Sequence, residues 1–260
     1  MDKTLPAECR EPLRDLLIAC ADTKLLMGYH YGEWTFGAPA IESAVAHCSL
    51  AQGELGHVRL LHGILKAHFE VDPDYLVEQR PAAEFANVPY LDQELRSWEA
   101  VVAMTVVVDV AITHVIASFR QSTFAPLRSC AAKLLEEERY HTQHGRGWLR
   151  TLARAEQHDA LHAAVASALH DVREWFGPGD SAADRALVHA GVKAKTDQDI
   201  LNEFTAELDG VATLGPTGLA VKPPQFEGWT PARRRGRAAS PSDDVLYHLR
   251  GTKNAVFKVA

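Results

Sequence analysis

Residues 100–119 read AVVAMTVVVDVAITHVIASF, an apolar run interrupted at its centre by Asp109 and again by His114. The length suits a membrane span. An aspartate at the middle of a lone lipid-facing helix, however, costs several kcal/mol. A bundle in water can bury the same helix on all sides, with the acid turned toward partners inside. The bundle reading is favoured, with no membrane partner. The segment then becomes the core helix around which the others must pack.

Composition agrees. The 260 residues carry 47% apolar and 23% charged side chains, enough for one large domain with a real core. A net charge of −7 argues against nucleic acid or an anionic membrane surface as the main partner. The 13 histidines are an enrichment that hints at metal or proton chemistry. Cys9, Cys20, Cys48 and Cys130 are far apart with no CxxC, so neither a zinc knuckle nor a disulfide framework is expected. Residues 1–14 mix Asp, Lys, Glu and Pro without an apolar run, which predicts a cytoplasmic protein with no secretory signal.

Outward from the core run, the chain reads as long helices with short punctuation. Pro12 to Trp34 carries Leu17, Ala21, Lys24, Gly28 and Tyr31 on one stripe at helical spacing. Gly37 and Pro39 break it, and a second helix spans Pro39 to Phe69. The apolar third helix covers roughly Asp92 to Ser122. A fourth runs from Pro126 to about Arg154, and a fifth from His158 to Phe176 ends at GPGD. Residues 1–214 form the predicted helical bundle. Residues 215–260 are predicted to be an extended Pro/Gly/Arg-rich tail, with a strand near Val245 to Leu249. Its RRRGR at 233–237 could meet a phosphate or an acidic partner, and a solvated linker is the favoured reading.

Two Glu-x-x-His pairs carry the chemistry: Glu54-Leu55-Gly56-His57 and Glu138-Arg139-Tyr140-His141. A three-residue step returns to nearly the same helix face, so each pair presents a carboxylate and an imidazole to one point. That is the ligand geometry of carboxylate-bridged di-iron and di-manganese sites in helical bundles. Composition alone yields about one such pair by chance, so context decides. Glu54 and His57 share a stripe with Leu50 and Leu61; Glu138 and His141 share one with Ala131, Leu134 and Gly145. Charged groups on an inward stripe must be paired or metal-bound, and Asp109 adds a third buried acid from a third helix. A metal-free buried polar network is the alternative. His47, His30, His62, His114 and His144 read as core or supporting histidines, Cys20 and Cys48 as small buried residues, and Tyr140 as packing.

These residues resemble the ferritin-like phenylacetate-degradation family, which includes the catalytic and structural subunits of phenylacetyl-CoA epoxidase. The resemblance rests on Trp34 and the Ala-Pro entry into helix two, ELGH at 54–57 and Val108-Asp109. EEERYH at 136–141 and WFGPGD at 175–180 complete it. It covers residues 14–215. It implies an all-α ferritin-like bundle in which Glu54, His57, Asp109, Glu138 and His141 bind metal, with Glu54 and Glu138 as bridges. The implied activity is a non-haem iron oxygenase, with one or two Fe ions or Mn, that uses O₂ to oxidise an organic substrate. An aromatic acyl-CoA thioester is the implied substrate, with a reductase as electron donor and a paralogous subunit or a second copy as partner.

One position departs. Where the family places a helix-one carboxylate, ten residues before the tryptophan matching Trp34, this chain has Lys24. Lys24 is read either as an internal counter-ion to Glu54 or Asp109, or as a neutral amine acting on metal or substrate. Asp22 points to another face and is a poor substitute. Glu54, Asp109 and Glu138 against a protonated Lys24 leave two negative charges, which suits one divalent ion better than two. The expected stronger position is the one held by Asp109, Glu138, His141 and Glu54. A non-catalytic subunit with a salt-bridged relic of the site is the alternative function.

Overall fold

Helix α1 (Ala7–Glu33) is enclosed rather than amphipathic: apart from Ile18, every residue from Leu16 to Gly28 is buried. In the computed structural model, which describes residues 5–154, 159–179, 181–209, 221–236 and 240–251, it packs along α2 (Ile41–Phe69). The two helices approach closely at the future site. A β-carbon added to Gly28 would stand 3.2 Å from Glu54 Cβ. Helix α3 (Trp98–Ala117) is the apolar run. Its mean hydropathy of 2.2 would allow a membrane crossing, but 72% of it is buried inside the fold. Ser97 starts it, accepting a hydrogen bond from the Ala100 backbone N–H at 3.2 Å.

The middle of α3 is not α-helical. Met104–Asp109 forms a π-helical turn that ends on the acidic residue. Such turns re-aim side chains and recur at functional sites. Against it packs α4 (Ala125–Leu152) at Gly145, where a β-carbon would lie 2.7 Å from Thr105 Cγ2. A side chain there would force the two helices apart. Helix α5 (Asp159–Phe176) covers α3 from another side. Helices α6 (Ala182–His189) and α7 (Asp197–Asp209) close the flank, α7 lying against α3. The architecture is all-α, a ferritin-like bundle of α1 to α4 with additional helices, and the described residues contain no strand.

Several local expectations are corrected. The segment read as a strand is α8 (Asp243–Leu249), started by Ser242, whose Oγ accepts from the Val245 N–H at 3.3 Å. Asp243 and Asp244 in its first turn complement the helix dipole, a signal the strand reading passed over. The third helix starts at Trp98 rather than Asp92, because Asp92 serves the loop before it. Cys48 is exposed, whereas Cys20 is buried as expected.

The solvated-linker reading of RRRGR is also overturned for two of its members. Arg234 and Arg235 are buried. Arg234 adopts φ 52° and stacks 4.0 Å over the Trp175 ring. Its guanidinium donates to Asp197 at 2.5 Å and to the Trp175 carbonyl at 3.1 Å. Arg235 binds both carboxylate oxygens of Asp92 (2.9 and 3.2 Å) and the Asn87 carbonyl. The segment around 222–236 thus returns to the bundle as a clasp. Residues 215–220, Arg237 and 252–260 of the predicted tail lie outside the described residues.

Candidate metal centre

The stripe logic that placed Lys24, Glu54 and Glu138 inward holds in three dimensions. Lys24 from α1, Glu54 and His57 from α2, Asp109 from the π turn, and Glu138 and His141 from α4 meet in one buried cage, and none is more than 4% exposed. The Lys24 ammonium sits among the carboxylates. Its Nζ lies 3.2 Å from Glu54 Oε1 and 2.9 Å from Asp109 Oδ1, and it also donates to Glu138 Oε1. Burial alone would lower the Lys24 pKa, but Asp109, Glu138 and Glu54 outweigh it and hold it well above the ordinary value. Lys24 is therefore a charged counter-ion in this arrangement, not a neutral amine.

The histidines complete the balance. His141 Nδ1 lies 3.0 Å from Asp109 Oδ2 and 3.1 Å from Glu54 Oε1. Despite burial, these carboxylates push it up to about 11. Burial at His57 is likewise outweighed, by Glu138 and Glu54, which raise it to about 9. Three carboxylates thus face an ammonium and two imidazoliums, and the cage is neutral without any metal. Replacing the two imidazolium protons with one divalent ion keeps it neutral. Burial raises the Glu138 pKa, with Asp109 adding to the effect; Lys24 offsets burial at Asp109 and Glu54 and leaves both lowered.

Metal fit follows from the donor set. One donor atom each from Glu54, Asp109, Glu138 and His141 lies within 4.8 Å of all the others. Ligand bonds of about 2.1 Å set opposite donors about 4 Å apart, so this cluster is close to what a single ion demands. Three carboxylates and an imidazole suit iron or manganese. On the far side, Glu54 Oε2 and His57 Nδ1 face each other at 3.7 Å, both buried and without a hydrogen bond. Two donors with Lys24 beside them do not make a second position. The residues fit one ion, not two.

Three supporting residues were not singled out from sequence. The Tyr31 hydroxyl lies 3.2 Å from Asp109 Oδ2 and 3.0 Å from Thr105 Oγ1, and its pKa is raised well above the usual value by burial and then Asp109, so it stays a donor. Glu137 holds His57 Nε2 at 3.0 Å, which leaves Nδ1 facing the cage. Thr113 donates to Glu138 Oε2 at 3.0 Å. The first was visible only as a stripe residue, and the second hid in the run EEE. The other histidines lie outside the cage. His47 packs on Trp98 at 4.8 Å and is lowered by burial to about 3, His30 bonds the Leu91 carbonyl and is lowered to about 4, and His114 pairs with Glu207 at 2.9 Å. Asp22 is taken by Arg80 at 2.5 Å, and Tyr140 is 71% exposed, so it neither packs nor lines the cage.

A pH test follows. His57 and His141 have folded pKa values above the unfolded value near 6.5, so their contribution is full below about pH 6.5. It is lost as pH rises through about 9 and then about 11. Thermal unfolding in the presence of a chelator should occur at lower temperature at pH 9.5 than at pH 7. A melting temperature that holds or rises over that range would mean that the two imidazoles are neutral.

Comparison with known proteins came from two directions. A family model described as phenylacetic acid catabolic protein matches residues 1–237. That match runs past residue 214 and through the buried arginines of the clasp. One of the subunits of the 1,2-phenylacetyl-CoA epoxidase of Escherichia coli (strain K12) is 27% identical over 132 residues, 50% of this chain and 53% of that protein. The similarity therefore spans about half the length of that relative.

Proposed function

This chain belongs to the phenylacetic acid catabolic protein family, and from that premise we propose that it is an oxygenase-type subunit whose cage holds a single iron ion. The carrying observation is the buried cluster of Glu54, Asp109, Glu138 and His141, with His57 beside it. Manganese is the alternative ion. Iron here would supply activation of O₂ for transfer of one oxygen atom to an organic substrate, with electrons from a separate reductase. The substrate class, by similarity to the named relative, is an aromatic acyl-CoA thioester.

The chain's own residues have defined tasks in this reading. Lys24 compensates charge and stands where a second ion would need a carboxylate. Glu137 fixes the His57 tautomer, and Tyr31 steadies Asp109 by a hydrogen bond to Oδ2. Glu138 lines both the cage and the cleft outside it. Its carboxyl, pushed up by burial and by Asp109, is the one best placed to hold a proton next to substrate. Partner binding is supported by the outer face of α2, where Ile41, Val45, Cys48 and Leu55 recur at helical spacing and are exposed beside Phe36. A paralogous subunit or a second copy is the proposed occupant. All four cysteines are free, in keeping with a reduced cytoplasmic setting.

The test is metal analysis of the full chain. Iron or manganese near one per chain is expected. Glu138→Ala/His141→Ala should abolish it while helical content is retained. Unchanged metal content in that variant would remove the centre as drawn. A second reading, a structural subunit with a relic site, is favoured by one observation: Lys24 already neutralises the cage together with the two histidines. Absence of metal after iron-replete growth would select it.

A further inference from the structure

The arginines that sequence offered for phosphate binding, Arg234 and Arg235, are buried in ion pairs and taken. A different set is free. Between α3, α4 and α7 lies a cleft of about 670 Å³, within the size range of small-molecule sites. Its walls carry Arg120, Arg139, Arg146 and Arg150 against two acids, Glu138 and Glu207. In a chain of net charge −7, this surface is locally positive. The guanidinium groups of Arg120, Arg139 and Arg150 have no hydrogen bond or ion pair with any described residue, and all three are exposed. Arg146 is held by Glu207, which also accepts from His114 at 2.9 Å. Arg139, Arg146 and Arg150 share one face of α4. Arg150 stands 12 residues from Glu138, or about 18 Å along the helix.

We propose that this cleft binds an elongated organic anion by its phosphate groups, at Arg120, Arg146 and Arg150, and leads its other end past Arg139 to Thr113 and Glu138. Glu207 acts as a stand-in anion on Arg146 that the ligand's phosphate displaces. Guanidinium groups recognise phosphate by paired hydrogen bonds, and an exposed, unpaired set aligned toward a buried polar centre is what such a ligand requires. The inference deepens the oxygenase reading by assigning the residues that recognise a polyphosphate thioester. It stands apart from that reading experimentally, because binding needs neither metal nor turnover.

The probe is coenzyme A, titrated calorimetrically into the full chain, with pantetheine and ATP as comparators. Coenzyme A is expected to bind, ATP to compete with it, and pantetheine to bind far more weakly. Binding should weaken as salt is raised. Arg146→Ala/Arg150→Ala should weaken binding by about ten- to a hundredfold, in line with the loss of two charge-assisted contacts. The lysine pair Arg146→Lys/Arg150→Lys should recover part of the loss, and Arg96→Ala, an exposed arginine outside the cleft, should change nothing. Glu207→Gln should tighten binding by removing the competing carboxylate. No binding of coenzyme A, equal binding of pantetheine, or an unaffected Arg146/Arg150 variant would overturn the proposal, as would weaker binding by Glu207→Gln. Metal content measured on the same samples reports on the oxygenase reading separately. Loss of one property with retention of the other identifies which of the two has failed.

Discussion

Lys24→Met is expected to destabilise the metal-free protein by about 3–5 kcal/mol, because it strips three buried carboxylates of their shared ammonium. Lys24 Nζ reaches Glu54, Asp109 and Glu138 at once, so its removal leaves an unbalanced charge with no water to screen it. Added Fe(II) or Mn(II) should recover much of that loss, since a cation then takes the vacated role. Lys24→Glu goes further. It restores the carboxylate that a second position lacks beside His57 and Glu54, and should raise metal content from one toward two per chain. Denaturant unfolding with chelator, paired with elemental analysis, reads both effects. A Lys24→Met protein of unchanged stability, or two ions already present in the unmodified chain, would show that the ammonium does not hold the cage.

A comparable loss is expected far from the cage, at Arg235→Met. Arg235 is fully buried and grips Asp92 with two nitrogens while bonding the Asn87 carbonyl. Burial pushes the Asp92 carboxyl up even with Arg235 offsetting it. Without the guanidinium, Asp92 must either take a proton or carry a lone buried charge, and the cost is about 3–5 kcal/mol. Arg235→Lys should not rescue the loss, because an ammonium cannot reproduce the planar fork. The double variant Arg235→Met/Asp92→Leu should regain most of it. Urea unfolding of the four proteins reads the coupling, and additive losses would mean that the pair is not a unit.

What the sequence disclosed depended on periodicity. Long helical stripes located Lys24, Glu54, Glu138 and their neighbours on inward faces, and the Glu-x-x-His spacing marked the cage. The apolar run around Asp109 identified α3 as a core helix, since an acid there needed partners. The π turn at Met104–Asp109 was invisible, because no residue type signals one extra residue per turn. Composition misled at the C-terminal segment. Pro, Gly and Arg are common in solvated linkers, and nothing local says that Asp92, 143 residues away from Arg235, waits for a partner. Glu137 and Thr113 escaped for a similar reason: their roles are set by contacts between helices, which spacing within one helix does not encode. The arginines of the cleft were legible singly, but their alignment with Arg120 required α3 and α4 to be placed side by side.

The clasp also has a consequence in time. A ribosome adds residues in order, at about 5–20 per second. Asp92 and Arg235 are separated by 143 residues, so the acid is made roughly 7–30 s before its partner exists. During that interval the loop ahead of α3 carries an unanswered carboxylate beside the most apolar helix in the chain. The nascent bundle must therefore keep this corner open to water, or leave Asp92 protonated, until the arginine pair is synthesised. Late codons, not early ones, seal the core.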